Sequence, residues 1–159
     1  MTVSELLESA LTIYEMRMKD AGIEVRRDYR DSIQIDCFGS ELRQVFANMM
    51  GNAFDATKSG GTLLVRTRDQ VNWRTGEKGM RLTLADNGSG MSENTRKRLF
   101  EPFFTTKGDN GTGLGLWISR EILAKHNAAI RWKTRQRPGP SGTVFSIWLP
   151  AEMSQAPRG

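Results

Sequence analysis

Asp86-Asn87-Gly88-Ser89-Gly90, then Leu99-Phe100-Glu101-Pro102-Phe103-Phe104-Thr105-Thr106-Lys107, then Gly111-Thr112-Gly113-Leu114-Gly115-Leu116 follow one another in the stretch 86–116. Two glycine clusters flank a hydrophobic hinge and a single lysine. Glycines this dense let backbone approach a ligand closely and reach positive φ. The second cluster runs into an apolar-periodic stretch, so it is predicted to open a helix. Free N–H groups at a helix start suit a phosphate. The stretch reads as a nucleotide pocket with a mobile lid.

Upstream, apolar spacing predicts a helix over 4–20, capped by Ser4 and ended by Gly22. Alternation predicts a short hairpin of 23–29 with 33–37. A helix over 39–58 carries the stripe Leu42, Phe46, Met49 and Ala53. Strands 62–68 and 80–86 flank a polar, turn-rich connector. Ser92 caps a short helix to Leu99, 101–112 is loop, and Leu114–His126 is a helix. Strands 129–135 and 143–149 are split by Pro138-Gly139-Pro140-Ser141-Gly142. Residues 1–150 then form one α/β domain, a two-layer sandwich of a mixed sheet with helices on one face. Residues 151–159 are read as a disordered tail.

The chain has 159 residues, enough for one domain with a core. Its one cysteine, Cys37, excludes an intrachain disulfide and suits a reducing, cytoplasmic setting. No apolar run approaches the roughly 20 residues that cross a bilayer, and Met1–Glu5 lacks signal-peptide order. No membrane contact by this domain is expected, and a monomer is. The net charge is +5. Apart from Arg131, Lys133, Arg135 and Arg137 the basic residues are scattered along the sequence. Nucleic acid is therefore disfavoured as a partner, and a polyanionic nucleotide or an acidic protein explains the charge equally well.

Three constellations carry chemistry. Asn48 and Asn52, with Gln44 a turn earlier, are neighbours on one helix face beside the apolar stripe. Their carboxamides either satisfy nearby loops or lend oxygen to a hard cation such as Mg²⁺. Asp86 ends a strand, where Asp-Asn-Gly is ordinary turn chemistry; its carboxylate can also accept from an exocyclic amine. Gly111, Gly113 and Gly115 open a helix but lack the Lys-Ser/Thr of a Walker loop and the Rossmann spacing. Lys107 is either a phosphate contact or a solvated lysine.

Together the segments resemble one family. Gln44-Val45-Phe46-Ala47-Asn48-Met49-Met50-Gly51-Asn52-Ala53 is similar to the N box of sensor histidine kinases, and Asp86–Met91 to the G1 box. Phe100–Lys107 is similar to the F box and Gly111–Leu116 to the G2 box. Ser141–Phe145 through Leu149-Pro150 resembles the family's last hairpin. The spelling is most like the nitrogen-regulation and oxygen-sensing branch.

The resemblance implies the Bergerat fold, shared with gyrase B and mismatch-repair ATPases, a flexible ATP lid over 101–112, and ATP with Mg²⁺. It implies that Asn52 holds the metal with Asn48 beside it. Asp86 accepts from the adenine amine, Gly90 admits the base, and Thr143 supports Asp86 through water. Lys107 and the N–H groups near Gly113 and Gly115 meet the phosphates, and Arg98 reaches the γ-phosphate. The boxes extend the nucleotide contacts to Asp55, Gly88, Met91, Phe100, Thr106, Gly111, Thr112, Leu114 and Leu116. Phe100, Phe103 and Phe104 anchor the lid or touch the helical partner. Many relatives have Lys-Tyr where Asp55-Ala56 stands, and His-Gly-Gly where His126-Asn127-Ala128 stands.

The implied reaction passes the ATP γ-phosphoryl group to a histidine on a dimeric helical hairpin, and so indirectly serves a response regulator. That hairpin is absent from this chain, whose only histidine is His126. A related ATPase, an anti-sigma-type serine kinase, and a nucleotide sensor without transfer are the alternative readings.

Overall fold

A computed structural model describes residues 2–57, 59–103, 115–136 and 139–152. The expected lid residues Thr106, Lys107, Gly111 and Thr112, with Phe104, Gly113 and Leu114, lie outside the described residues, as do 153–159 of the expected tail 151–159, whose first residue Ala151 is bonded to Lys78 and Asp36. The elements are α1 (Val3–Ile13), α2 (Glu15–Ala21), β1 (Glu24–Arg30), α3 (Gly39–Ala56), β2 (Thr62–Val71) and β3 (Lys78–Asp86). They continue with α4 (Glu93–Arg98), α5 (Gly115–Lys125), β4 (Ala129–Arg135) and β5 (Gly142–Pro150).

The expected first helix is two helices. Thr2, not Ser4, caps α1 in a capping box with Glu5, while Ser4 bonds Asp31. The break falls at Tyr14, whose hydroxyl donates to the Ala47 carbonyl of α3 at 2.7 Å. Gly51 makes room for this: a Cβ there would lie 2.6 Å from Tyr14 Oη. Gly22 closes α2 with φ +64°.

The five strands form one sheet in the order β1-β2-β3-β5-β4. β2–β3, β3–β5 and β4–β5 are antiparallel. β1 pairs parallel with β2, and α3 supplies the crossover such a pair requires. The hairpin expected for 23–29 with 33–37 does not form. The Asp69 carboxylate instead accepts from the Ser32 and Ile33 N–H groups, and Asp31 accepts from Thr67 Oγ1 at 2.6 Å. These long-range bonds pin the segment after β1 to β2, and Ile35 enters the core.

The helices pack on one face of the sheet. Leu63, Val65, Leu82, Leu84, Phe145, Ile147 and Leu149 point into that layer and are buried with Leu7, Leu42, Phe46, Met50 and Leu123. Burying a side chain such as Phe46, fully enclosed here, contributes about 2–3 kcal/mol. Alternate strand residues face the opposite way and, apart from Gly79 and Pro150, are half-buried or exposed. The sheet ends at Asp86, Arg135 and Gly142, and α3 ends beside them. The candidate site lies at this common edge.

Candidate functional site

Asp86 is the last residue of β3, paired in register with Leu63 and Thr143. Its Oδ1 accepts from the Gly88 N–H at 2.9 Å and the Thr143 N–H at 3.3 Å. Burial pushes the carboxyl above its ordinary range, and these two N–H groups only partly oppose that. Among the described residues Oδ2 has no hydrogen-bond partner. Asp86 is thus both a turn former and a half-buried acceptor with one oxygen unused. Thr143 supports it directly through its backbone. Its own hydroxyl pairs with Thr134 Oγ1 at 3.0 Å.

The loop after Asp86 is clamped on four sides. Asn87 Oδ1 accepts from the Thr62 N–H. The Ser89 N–H donates to the Ala56 carbonyl at the end of α3. Ser141 Oγ donates to the Gly88 carbonyl, and the Met91 N–H donates to Thr134 Oγ1 at 2.8 Å. Gly88 is obligatory, since a Cβ there would lie 2.4 Å from the Ala56 carbonyl oxygen. Gly90 combines φ +74° with a Cβ position 2.2 Å from the Arg135 carbonyl oxygen. Packing against β4 is what this structure demands of Gly90.

α3 places Asn48 and Asn52 one turn apart. The Asn48 amide group donates to the Gly115 carbonyl at 3.3 Å and Ser119 Oγ at 3.5 Å. Its Oδ1 has no hydrogen-bond partner among the described residues. Gly115 packs on the Asn48 side chain, and half-buried Leu116 packs against the core. The N-box helix and the helix after the second glycine cluster thus meet at Asn48. Asn52 is half-buried. Asp55, one further turn on, forms an ion pair with Arg17 of α2.

Arg98 pairs with Glu101 at 2.9 Å. Phe100 is buried, edge-on to Trp132 with centroids 4.9 Å apart and covered by the Arg120 guanidinium. Its ring ties the end of α4 to β4 and α5. Phe103 has the opposite character: it is 75% exposed and holds φ +67°, a conformation that costs a non-glycine residue about 1–2 kcal/mol. Between α4, α5 and β4 lies a groove lined by Leu99, Phe100, Pro102, Trp117 and Trp132 with Arg96, Lys97 and Arg120 at its sides.

His126 is buried and both ring nitrogens are engaged. Nδ1 meets the Ile122 carbonyl at 2.8 Å and Nε2 accepts from the Phe38 N–H at 3.1 Å. It pegs the end of α5 to the start of α3. Sequence reasoning missed Thr134 and Arg17. Thr134 had a signal, a polar residue in the inward register of Ile130 and Trp132; Arg17 had none.

Among the described residues no helix is long and apolar enough to cross a membrane. The family described as histidine kinase-, DNA gyrase B-, and HSP90-like ATPase matches residues 39–153. Sporulation kinase E of Bacillus subtilis (strain 168) is 32% identical over 98% of this chain and 20% of its own length. The chain spans about a fifth to a third of the length of the curated relatives it matches. The nucleotide-free catalytic domain of histidine kinase ThkA superposes with TM-score 0.80 at 25% identity, over 96% of this chain and 94% of that one. Full-length ShkA in complex with AMPPNP gives TM-score 0.79 at 26% identity, over 99% of this chain and 32% of that one. By this match and by its fold, the chain belongs to the family of histidine kinase-, DNA gyrase B- and HSP90-like ATPases.

Proposed function

We propose that this chain is the ATP-binding catalytic domain of a two-component sensor histidine kinase. In this reading it donates the γ-phosphoryl group of ATP to a histidine on a dimerising helical hairpin outside the chain, and the hairpin in turn serves a response regulator. The observation that carries the nucleotide role is Asp86: a clamped carboxylate with one oxygen unused. That oxygen accepts the adenine amine, a discrimination guanine fails because it presents a carbonyl at that position.

Asn52, with Asn48 Oδ1 beside it, holds Mg²⁺. Among the described residues no group of three His, Cys, Asp or Glu side chains converges. Mg²⁺ is a hard ion that borrows few protein oxygens and keeps waters and phosphate oxygens as its other ligands. When bound, the ion neutralises charge on the phosphates. Lys107 and the N–H groups near Gly113 and Gly115 position them, and Arg98 turns to the γ-phosphate by leaving Glu101. Asp55, paired to Arg17, contributes no direct cation. Thr143 holds Asp86 in place from the neighbouring strand.

Phosphoryl transfer is mainly positioning and charge stabilisation, and a neutral imidazole needs no strong base to attack. The aromatic groove beside the F box, with exposed Phe103 at its margin, is where the helical hairpin seats. His126 is not the acceptor, because both its nitrogens are used inside the core. Calorimetry with ATP and GTP, with and without Mg²⁺, tests the reading. It predicts Mg²⁺-dependent binding of ATP in preference to GTP. Equal binding of both nucleotides, or none, refutes it.

A further inference from the structure

We infer that the open face of the sheet is a docking surface for an acidic protein partner distinct from the histidine-bearing hairpin. The basic residues, scattered in the sequence, are gathered by the pleat. Arg26 and Arg30 of β1 alternate with Val25, Arg27 and Tyr29, of which Arg27 and Tyr29 bond Glu8 of α1, and Arg66 and Arg68 of β2 alternate with buried Val65 and Thr67, so these four arginines project from the face opposite the helices. Arg81 of β3 and Arg131, Lys133 and Arg135 of β4 extend the same face. Glu24 and Asp28 are the acidic residues at the outward positions of these strands. Eight cations against two carboxylates are enough to account for the chain's net charge of +5.

The face is built for carboxylates. Asp28 sits among three guanidiniums, with Arg66 at 3.2 Å, Arg68 at 2.5 Å and Arg30 at 3.4 Å. They hold its carboxyl below the usual range, the Arg68 hydrogen bond foremost. Arg131, Lys133 and Arg135 have no acidic partner among the described residues. Seven of the eight cations are arginine, whose fork matches a carboxylate in two-point contact.

The register adds an apolar row. Arg26 lies beside Leu64, Leu64 beside Ala85, Ala85 beside Val144 and Val144 beside Lys133. Val144 is 39% exposed. An apolar row with a cation at each end has the core-and-rim make-up of a protein interface. Bare polyanion binding needs charge alone. Charge complementarity therefore favours an acidic protein surface that also carries apolar side chains.

The test titrates the ¹⁵N-labelled chain with two synthetic peptides of equal negative charge: a polyglutamate, and one with leucine and tryptophan placed among the glutamates. The mixed peptide is expected to bind at least fivefold more tightly and to shift amides of β2, β3 and β4. Its affinity should fall at least tenfold in the R131E/K133E/R135E variant, whose unchanged remaining amide spectrum reports an intact fold. Equal affinity for the two peptides, shifts confined to the helical side, or unchanged binding by the variant overturns the inference. So does co-sedimentation with phosphatidylglycerol vesicles, or duplex DNA binding that persists at a salt concentration where the mixed peptide dissociates.

Discussion

Asp86→Asn separates what this residue does for the ligand from what it costs the fold. The substitution is nearly isosteric, and the amide oxygen still accepts from the Gly88 and Thr143 N–H groups. Oδ2 becomes an NH₂ group, so an acceptor without a partner turns into a donor facing the donor of adenine. Losing a hydrogen bond to a charged acceptor costs about 1.5–3 kcal/mol, or about 10- to 150-fold in ATP affinity at about 1.4 kcal/mol per decade. Stability should move the other way. Burial raises the Asp86 carboxyl above its ordinary range despite the two N–H groups, so the folded state prefers the neutral form. As pH rises through the carboxylate range, the unfolded chain ionises first and the folded carboxyl later. Asp86 therefore lowers stability across that window and by a constant amount above it. The Asn variant should match or exceed the wild-type Tm at pH 7, and its advantage should shrink as pH falls to the carboxylate range. Calorimetry with ATP and thermal melts at several pH values read both effects. Unchanged ATP affinity, or a variant markedly less stable at pH 7, would rule out this role for Asp86.

Asn52→Ala should abolish the Mg²⁺ dependence of ATP binding while circular dichroism stays unchanged. Gly88→Ala forces a methyl group against the Ala56 carbonyl, 2.4 Å away; a loss of about 2–3 kcal/mol, or about 4–12 °C in Tm, is expected, together with weakened ATP binding. Gly51→Ala gains about 0.5–1 kcal/mol of helix propensity but collides with Tyr14 Oη at 2.6 Å. Thermal melts should show a net loss that adding Tyr14→Phe partly restores. His126→Ala leaves the Phe38 N–H without its acceptor, a loss of about 1–3 kcal/mol in a denaturant titration, with ATP binding retained at a temperature where the variant is folded.

What the sequence made legible was local. Leu42, Phe46 and Met49 mark α3 at helical spacing, and alternation marks β2, β3, β4 and β5 on either side of turn-rich connectors. Asp86 ends β3 as strand alternation predicts, and Asn48 and Asn52 share one face of α3 as their spacing predicts. The parts that escaped reading depend on contacts between residues far apart in the chain. Asp31 and Asp69 divert 31–33 from a hairpin, and nothing near those residues announces the parallel pairing of β1. The break at Tyr14 answers a glycine 37 positions later, and Arg17 meets Asp55 only through a tertiary contact between α2 and the last turn of α3. Basic residues that look dispersed in sequence share one sheet face because the pleat and the register bring them there.

Phosphoryl transfer by this chain is tested by incubating it with γ-labelled ATP, Mg²⁺ and a separately produced helical hairpin domain carrying the acceptor histidine. Acid-labile label is expected on the hairpin histidine, dependent on this chain, lost with Asn52→Ala and undiminished with His126→Ala. Label on His126, or release of free phosphate with the hairpin unlabelled, would contradict transfer to the hairpin.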